Sequence, residues 1–173
     1  ILLDLPTEGE DVNALARKGL ERLKNPEMPG LISEEAEALI YIGNTRDDFD
    51  KLADCDWVAE AIVERLNLKQ QLYRNLIDCC GTDTIITSNT STIPIALLTK
   101  GMPNSFCQNF AITHFFNPVR FMRLLEIVET PTMNKDKMGG LRDFCKNELG
   151  KGIVNCNDTP GFIGNRIGVY AMQ

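Results

Sequence analysis

What most constrains this chain is its rhythm: short apolar or β-branched runs alternate with segments whose apolar residues recur every three or four positions. Ile1–Leu5 is an apolar run closed by Pro6, and Val12, Leu15, Ala16, Leu20 and Leu23 follow at helical spacing. Between Pro26 and Gly43 the pattern weakens, with a short helix from Ser33 to Ile40 running towards a strand near Tyr41–Gly43. Asp56–Val63 then reads as a buried strand, Leu68, Leu72, Leu76 and Ile77 line a helix, and Thr84–Thr87 is β-branched throughout. Ala111–Phe116 and Leu124–Val128 read as strands around a loop containing Asn117-Pro118. Met138, Leu141, Phe144, Cys145 and Leu149 mark a helix closed at Gly150, and Ile153–Cys156 is a last short strand. Periods of 2 and 3.6 taken in turn predict an α/β chain built on a doubly wound, mostly parallel sheet, whose ligands bind beyond the carboxyl ends of the strands. Asp158-Thr159-Pro160-Gly161 is the best candidate boundary, because an apolar helical pattern restarts behind it and runs from Ile163 to Gln173.

Composition narrows the function classes. With 43% hydrophobic and 24% charged residues the chain has the balance of an ordinary folded domain, which excludes disorder. Its 18 Lys and Arg against 24 Asp and Glu leave a net charge of −6, so the positive field that a phosphate backbone requires is missing and no nucleic-acid partner is expected. No apolar run approaches the roughly 20 residues of a membrane span. The six cysteines contain no C-x-x-C pair, and the adjacent Cys79-Cys80 suits neither an ordinary disulfide nor a zinc site. No metal is therefore expected, and the thiols read as small apolar residues of a reducing compartment, with cytoplasm the default and mitochondrion or peroxisome open. The chain opens on a strand already under way, without an initiator Met or a basic leader, and closes on a helix without a stop signal. An internal fragment is the expectation.

Few residues offer chemistry. His114 is the only histidine and lies in the apolar run Ile112–Phe116, where it is either a hydrogen-bonded core residue or a general acid/base. Glu126, twelve residues on, sits among apolar strand residues where a carboxylate is costly unless paired; a neighbouring strand could bring it against the imidazole. Ser88-Asn89-Thr90-Ser91 follows a strand at its carboxyl end and either caps the next short helix, Pro94–Leu98, or hydrogen-bonds a substrate. A hydrolase triad of Ser91, His114 and Glu126 lacks the G-x-S-x-G elbow such a nucleophile sits on. The fingerprint G-x-G-x-x-G is absent from the thirteen glycines, yet Asp4, directly after the first strand, stands where a ribose-binding acid falls if a glycine-rich βα unit precedes it.

These residues carry a resemblance. Ser88-Asn-Thr-Ser91, Thr113-His-Phe-Phe-Asn-Pro-Val119, Met122-Arg-Leu-Leu-Glu126, Gly150-Lys-Gly152 and Asp158-Thr-Pro-Gly-Phe-Ile-Gly-Asn165-Arg166 occur in the order and spacing of the L-3-hydroxyacyl-CoA dehydrogenase family. The likeness extends more weakly back through Asp54–Glu64 to Asp4, and Asn13–Leu23 with Ser91-Thr-Ile-Pro94 looks most like bacterial members fused to an enoyl-CoA hydratase region. It implies a Rossmann-type NAD-binding domain over residues 1–157, lacking its first βα unit, and at 158–173 the start of a helical domain that binds acyl-CoA and forms a homodimer. By that likeness His114 is the catalytic base and Glu126 its partner, while Ser91 and Asn165 hold the substrate. Asp4, Glu64, Lys69, Ser91 and Asn117 fall where the family contacts NAD. Without the first βα unit, pyrophosphate has no helix N-terminus to sit on and the fragment alone is expected to be inactive; uncovered apolar surface is expected to make it associate. The alternatives are a dehydrogenase of another hydroxy acid or a non-catalytic relative.

Overall fold

Parallel strands joined through helices account for most of the computed structural model, which describes residues 1–172. Strands β1 (Leu2–Asp4) and β2 (Ile42–Asn44) pair in parallel, with helix α1 (Ala14–Leu23) between them in the chain and packed on both. A second sheet runs in the order β3 (Trp57–Glu60), β4 (Ile85–Ser88), β5 (Phe110–Phe115), β6 (Leu124–Glu129), β7 (Gly152–Asn155). Its pairs are parallel except β5 with β6. That exception follows from the connection: the loop from Phe116 to Arg123 carries no helix, and only a longer crossover returns a chain parallel to the strand it left. The expected mostly parallel sheet is thus present as two separate pieces, because β1 and β2 bond only to each other among the described residues.

Side-chain alternation then sorts the helices onto two faces. On β5, Phe110 and Ile112 face the core that α2 (Leu66–Cys79) enters with Tyr73 and Leu76, α3 (Ile95–Leu98) with Ile95 and Leu98, and α4 (Asn104–Cys107) with Phe106. Ala111, with Leu125 and Ile127 of β6, faces the opposite core, filled by Met138, Leu141 and Cys145 of α5 (Lys135–Asn147). Period 2 therefore places His114 of β5 and Glu126 of β6 on the first face, with Phe110, Ile112 and Val128. Helix α5 is started by the Asn134 side chain, which accepts from the amides of Asp136 and Lys137, and Gly150 turns the chain out of it at φ +64°.

Helix α6 (Gly164–Ala171) follows the boundary segment and leaves Ile167, Val169 and Tyr170 exposed. Gln173, to which the sequence pattern extends this helix, lies outside the described residues. The short helix expected at Ser33–Ile40 is a 3₁₀ turn, Glu35–Leu39. A further 3₁₀ segment at Phe49–Asp54 and the four-residue α4 are too short to show a helical period in sequence. All six cysteines are free thiols. No helix among the described residues is long and apolar enough to cross a membrane.

Candidate active site

The site grows from one cross-strand pair. His114 and Glu126 are direct partners in the antiparallel register of β5 and β6, and Glu126 Oε2 lies 2.8 Å from His114 Nδ1. Both are buried, at 4% and 1% exposure, so a bare charge here would be costly. Glu126 offsets that cost with its other oxygen, Oε1, which accepts the main-chain amides of Ile163 at 2.9 Å and Gly164 at 2.7 Å. These amides open α6, where unpaired N–H groups and the helix dipole favour a negative charge. A turn in the left-handed region delivers them: Gly161 at φ +76° is followed by Phe162 at φ +44°, a conformation that costs a non-glycine residue energy and is held by burial of its ring. Gly164 is required here by space, since a Cβ would lie 2.6 Å from Phe116 Cζ. Burial pushes the Glu126 carboxyl up, but the His114 hydrogen bond and the amides of Gly164 and Ile163 outweigh it and hold the group below its ordinary range.

An ionised carboxylate only accepts, so the proton between the two residues sits on Nδ1 and the imidazole presents its Nε2 lone pair. That nitrogen lies 2.9 Å from Ser91 Oγ. The rings of Phe116 and Phe162 meet the imidazole edge-on, with centroids 4.5 and 5.5 Å away, and wall it off on that face. Ser91, His114 and Glu126 are thus linked as in a nucleophilic triad, the arrangement the missing elbow argued against. The surroundings decide against a nucleophile: the amides of Ser91 and Thr92, the natural oxyanion donors, both point at Glu64 Oε1, at 3.2 and 3.3 Å. A carboxylate occupying that position repels the oxyanion of acyl transfer. What remains is a buried base with a hydroxyl at its reactive nitrogen, suited to taking a proton from an alcohol.

The segment Thr90–Thr92 is wrapped around Glu64, whose Oε1 also accepts from the hydroxyls of Thr90 and, at 3.1 Å, Thr92. Burial raises the Glu64 carboxyl, and the Thr90 hydrogen bond and Lys69 charge override it, leaving the group below its ordinary range. Lys69 is 1% exposed and its ammonium is spent on Glu60 at 2.6 Å, Glu64 at 3.3 Å and the Ile62 carbonyl at 3.3 Å. It lies beneath Glu64, with no donor left for a bound molecule. Asp4 is exposed at the carboxyl end of β1, its carboxylate accepting among the described residues only the neighbouring Leu5 amide at 2.7 Å, and its remaining acceptor capacity would suit a ribose diol. Asn117 is exposed in the loop after β5, and Asn165 is half-buried in the first turn of α6, one residue beyond the Gly164 amide that caps Glu126. The predicted site residues therefore divide: Ser91, His114 and Glu126 form one hydrogen-bonded line joined through the Ser91 amide to Glu64 and Lys69, while Asp4 stands on the separate β1–β2 sheet.

Sequence reasoning passed over several supporting groups. Glu60 at the end of β3 is 3% exposed in an apolar run, the same costly-carboxylate signal that drew attention to Glu126. Asp158 caps α3 from about 60 residues away in the chain, its Oδ1 accepting the Ile95 amide at 2.6 Å and Oδ2 that of Ala96 at 3.1 Å. Lys151, the centre of the Gly150-Lys-Gly152 motif, donates to the Val119 and Met122 carbonyls and fixes the loop behind His114. A cleft of about 700 Å³ lined by Arg123, Arg142, Lys146, Lys151 and neighbours includes none of the His114 line.

Comparison with known proteins bears on the family of the chain. Residues 5–159 match the family model described as the NAD-binding domain of 3-hydroxyacyl-CoA dehydrogenase. A Rickettsia felis protein named as a putative fatty acid oxidation complex trifunctional enzyme is 40% identical over 174 residues, covering 100% of this chain and 24% of that protein. The mitochondrial hydroxyacyl-coenzyme A dehydrogenase of Rattus norvegicus is 37% identical over 171 residues, covering 94% of this chain and 54% of the relative. Among solved structures, 3-hydroxybutyryl-CoA dehydrogenase from Escherichia coli K12 superposes with a TM-score of 0.74 at 31% identity, over 96% of this chain and 34% of that one. The chain spans a quarter to about half of the curated relatives it matches, 24% and 54% for these two. With the family model covering most of its length, the chain belongs to the 3-hydroxyacyl-CoA dehydrogenase family, as an NAD-binding domain of Rossmann type.

Proposed function

We propose that this chain carries the catalytic base of an NAD-dependent 3-hydroxyacyl-CoA dehydrogenase of fatty acid oxidation. The observation that carries the reading is the line Ser91–His114–Glu126, closed at its far end by the α6 amides. His114 Nε2 takes the proton of the substrate 3-hydroxyl as the C3 hydrogen departs as hydride, and Glu126 stabilises the imidazolium that results. Ser91 Oγ and the Asn165 amide hold the same substrate oxygen, so the proton meets the lone pair of Nε2 directly. NAD, when bound, supplies the hydride acceptor. Asp4, Glu64, Ser91 and Asn117 are the groups that would hold it, with Lys69 acting behind Glu64. A free carboxylate at Asp4 selects against a 2′-phosphate and so favours NAD over NADP. The same reading divides the chain at residue 157, where Asp158 begins the segment that caps both α3 and Glu126.

The test is NADH oxidation by acetoacetyl-CoA in the full natural chain containing these residues, with His114→Ala beside it. Turnover that falls by about three orders of magnitude in the variant, with NADH binding retained, supports the reading. Binding of NADH without turnover in either protein would give the lead to a non-catalytic relative, and turnover only with another hydroxy acid would reassign the substrate.

A further inference from the structure

Beneath the proposed site lies a buried carboxylate for which proton transfer has no use. Glu60 ends β3 and receives four donors: Lys69 Nζ at 2.6 Å and the Ile62 amide at 2.7 Å on Oε1, Tyr73 Oη at 2.8 Å and Ser88 Oγ at 2.7 Å on Oε2. Lys69 and Tyr73 lie one helical turn apart on α2, so Glu60 fastens one face of that helix to the carboxyl ends of two strands. An isolated carboxylate at this depth is expensive, and apolar residues of similar volume would fill the space without the cost. The cluster has an outlet. Lys69 continues from Glu60 to Glu64, Glu64 gathers the Ser91 and Thr92 amides, and Ser91 Oγ sits 2.9 Å from His114 Nε2.

We propose that Glu60 is a positioning residue of this site, acting through Lys69 and Glu64 to hold the Ser91 hydroxyl on the reactive nitrogen of His114. Glu60 fixes one side of the Lys69 ammonium, which leaves the other side to fix Glu64 between Lys69 and the Thr90–Thr92 segment. Without the Glu60 charge, Lys69 recruits Glu64 as its sole counterion, and Glu64 draws away from the Ser91 amide. The functional consequence rests on the dehydrogenase reading, whereas the placement of Ser91 against His114 does not.

The experiment uses Glu60→Gln in the full natural chain, with Tyr73→Phe as the milder variant that withdraws one hydrogen bond from Glu60 and leaves no unpaired charge. The first readout is the imidazole nitrogen spectrum of His114 by NMR, assigned by its absence in His114→Ala and bracketed by Ser91→Ala. The expected result is that the Nε2 signal of Glu60→Gln moves most of the way to its position in Ser91→Ala, with Tyr73→Phe in between. A folded Glu60→Gln protein whose His114 signals coincide with wild type overturns the proposal; if that variant does not fold, an unmoved signal in Tyr73→Phe overturns it equally. The second readout is kinetic: kcat with acetoacetyl-CoA falls about tenfold in Glu60→Gln, as expected when a reacting group is misplaced, and any rise in the KM for NADH accompanies that fall, because Glu64 is also one of the groups that would hold the cofactor. A roughly tenfold rise in the KM for NADH with kcat unchanged makes Glu60 a cofactor-site residue only and overturns the proposal. Absence of turnover in wild type refutes the dehydrogenase reading alone, because the His114 spectrum still decides the placement.

Discussion

At the scale of the residue, the chemistry of this chain is set by what each end of one imidazole meets. Glu126 at Nδ1 fixes the tautomer and Ser91 Oγ lies at Nε2, where the proposed function places the substrate hydroxyl. Glu126→Gln keeps the shape but offers one acceptor and an NH₂ group in place of a carboxylate, so it disturbs the tautomer and forfeits the stabilised imidazolium. The expected outcome is a loss in kcat of roughly 10²- to 10⁴-fold at nearly unchanged KM, read by steady-state kinetics; a loss under about tenfold would remove Glu126 from the mechanism. Gly164→Ala tests the packing behind the pair. Its new methyl group would meet Phe116 Cζ at 2.6 Å and press that ring against His114, which costs about 1–3 kcal/mol in urea unfolding. His114 and Glu126 were legible in the sequence because a lone histidine and a carboxylate stood out among apolar strand residues. The α6 amides were not, because a backbone donor leaves no mark on residue type.

At the scale of the element, the arrangement depends on turns that bring distant backbone ends together. Asp158 lies beside the boundary and yet caps α3, the helix directly after the Ser91 segment. Asp158→Ala should cost about 1 kcal/mol as lost capping, seen as a lower urea midpoint, and should lower kcat more than the Thr159→Ala control, because the Ser91 segment loses its downstream anchor. Equal kinetics for the two variants would confine Asp158 to stability. Helices α2 and α5 were legible from their apolar periodicity, and the ends of α5 from Asn134 and Gly150. Strand β3 is shorter than its apolar run, because the chain leaves the sheet at Glu60 to bring the Ile62 amide back onto that carboxylate. That departure is decided by a hydrogen bond to a side chain, which hydropathy does not report.

At the scale of the whole molecule, stability is tied to carboxylates held ionised. Glu126 and Glu129 are both kept below their ordinary value of 4.5: burial raises each, and hydrogen bonds from His114 and the α6 amides, or from Lys135 and Arg142, lower it further. A carboxylate whose folded value is depressed contributes fully above its unfolded value and loses that contribution as pH falls through the folded one. The urea midpoint is therefore expected to hold above about pH 5 and to drop as pH falls below 4.5, and Glu129→Gln should make that drop shallower. A midpoint independent of pH across that range would show that these pairs do not stabilise the fold.

The α/β class, the parallel connectivity and the residues that stand on strand ends were determined by the sequence alone, because hydrophobic period and β-branching act locally along the chain. The antiparallel pairing of β5 with β6 was implicit in the short loop between them. Tertiary structure alone decided that Glu126 meets His114, that Lys69 lies under Glu64 instead of at the surface, and that Glu60 receives the Lys69 ammonium. Register and burial settle these pairings, and both are properties of strands and helices brought together in space, where a one-residue slip of β5 or β6 would turn His114 or Glu126 to the other face.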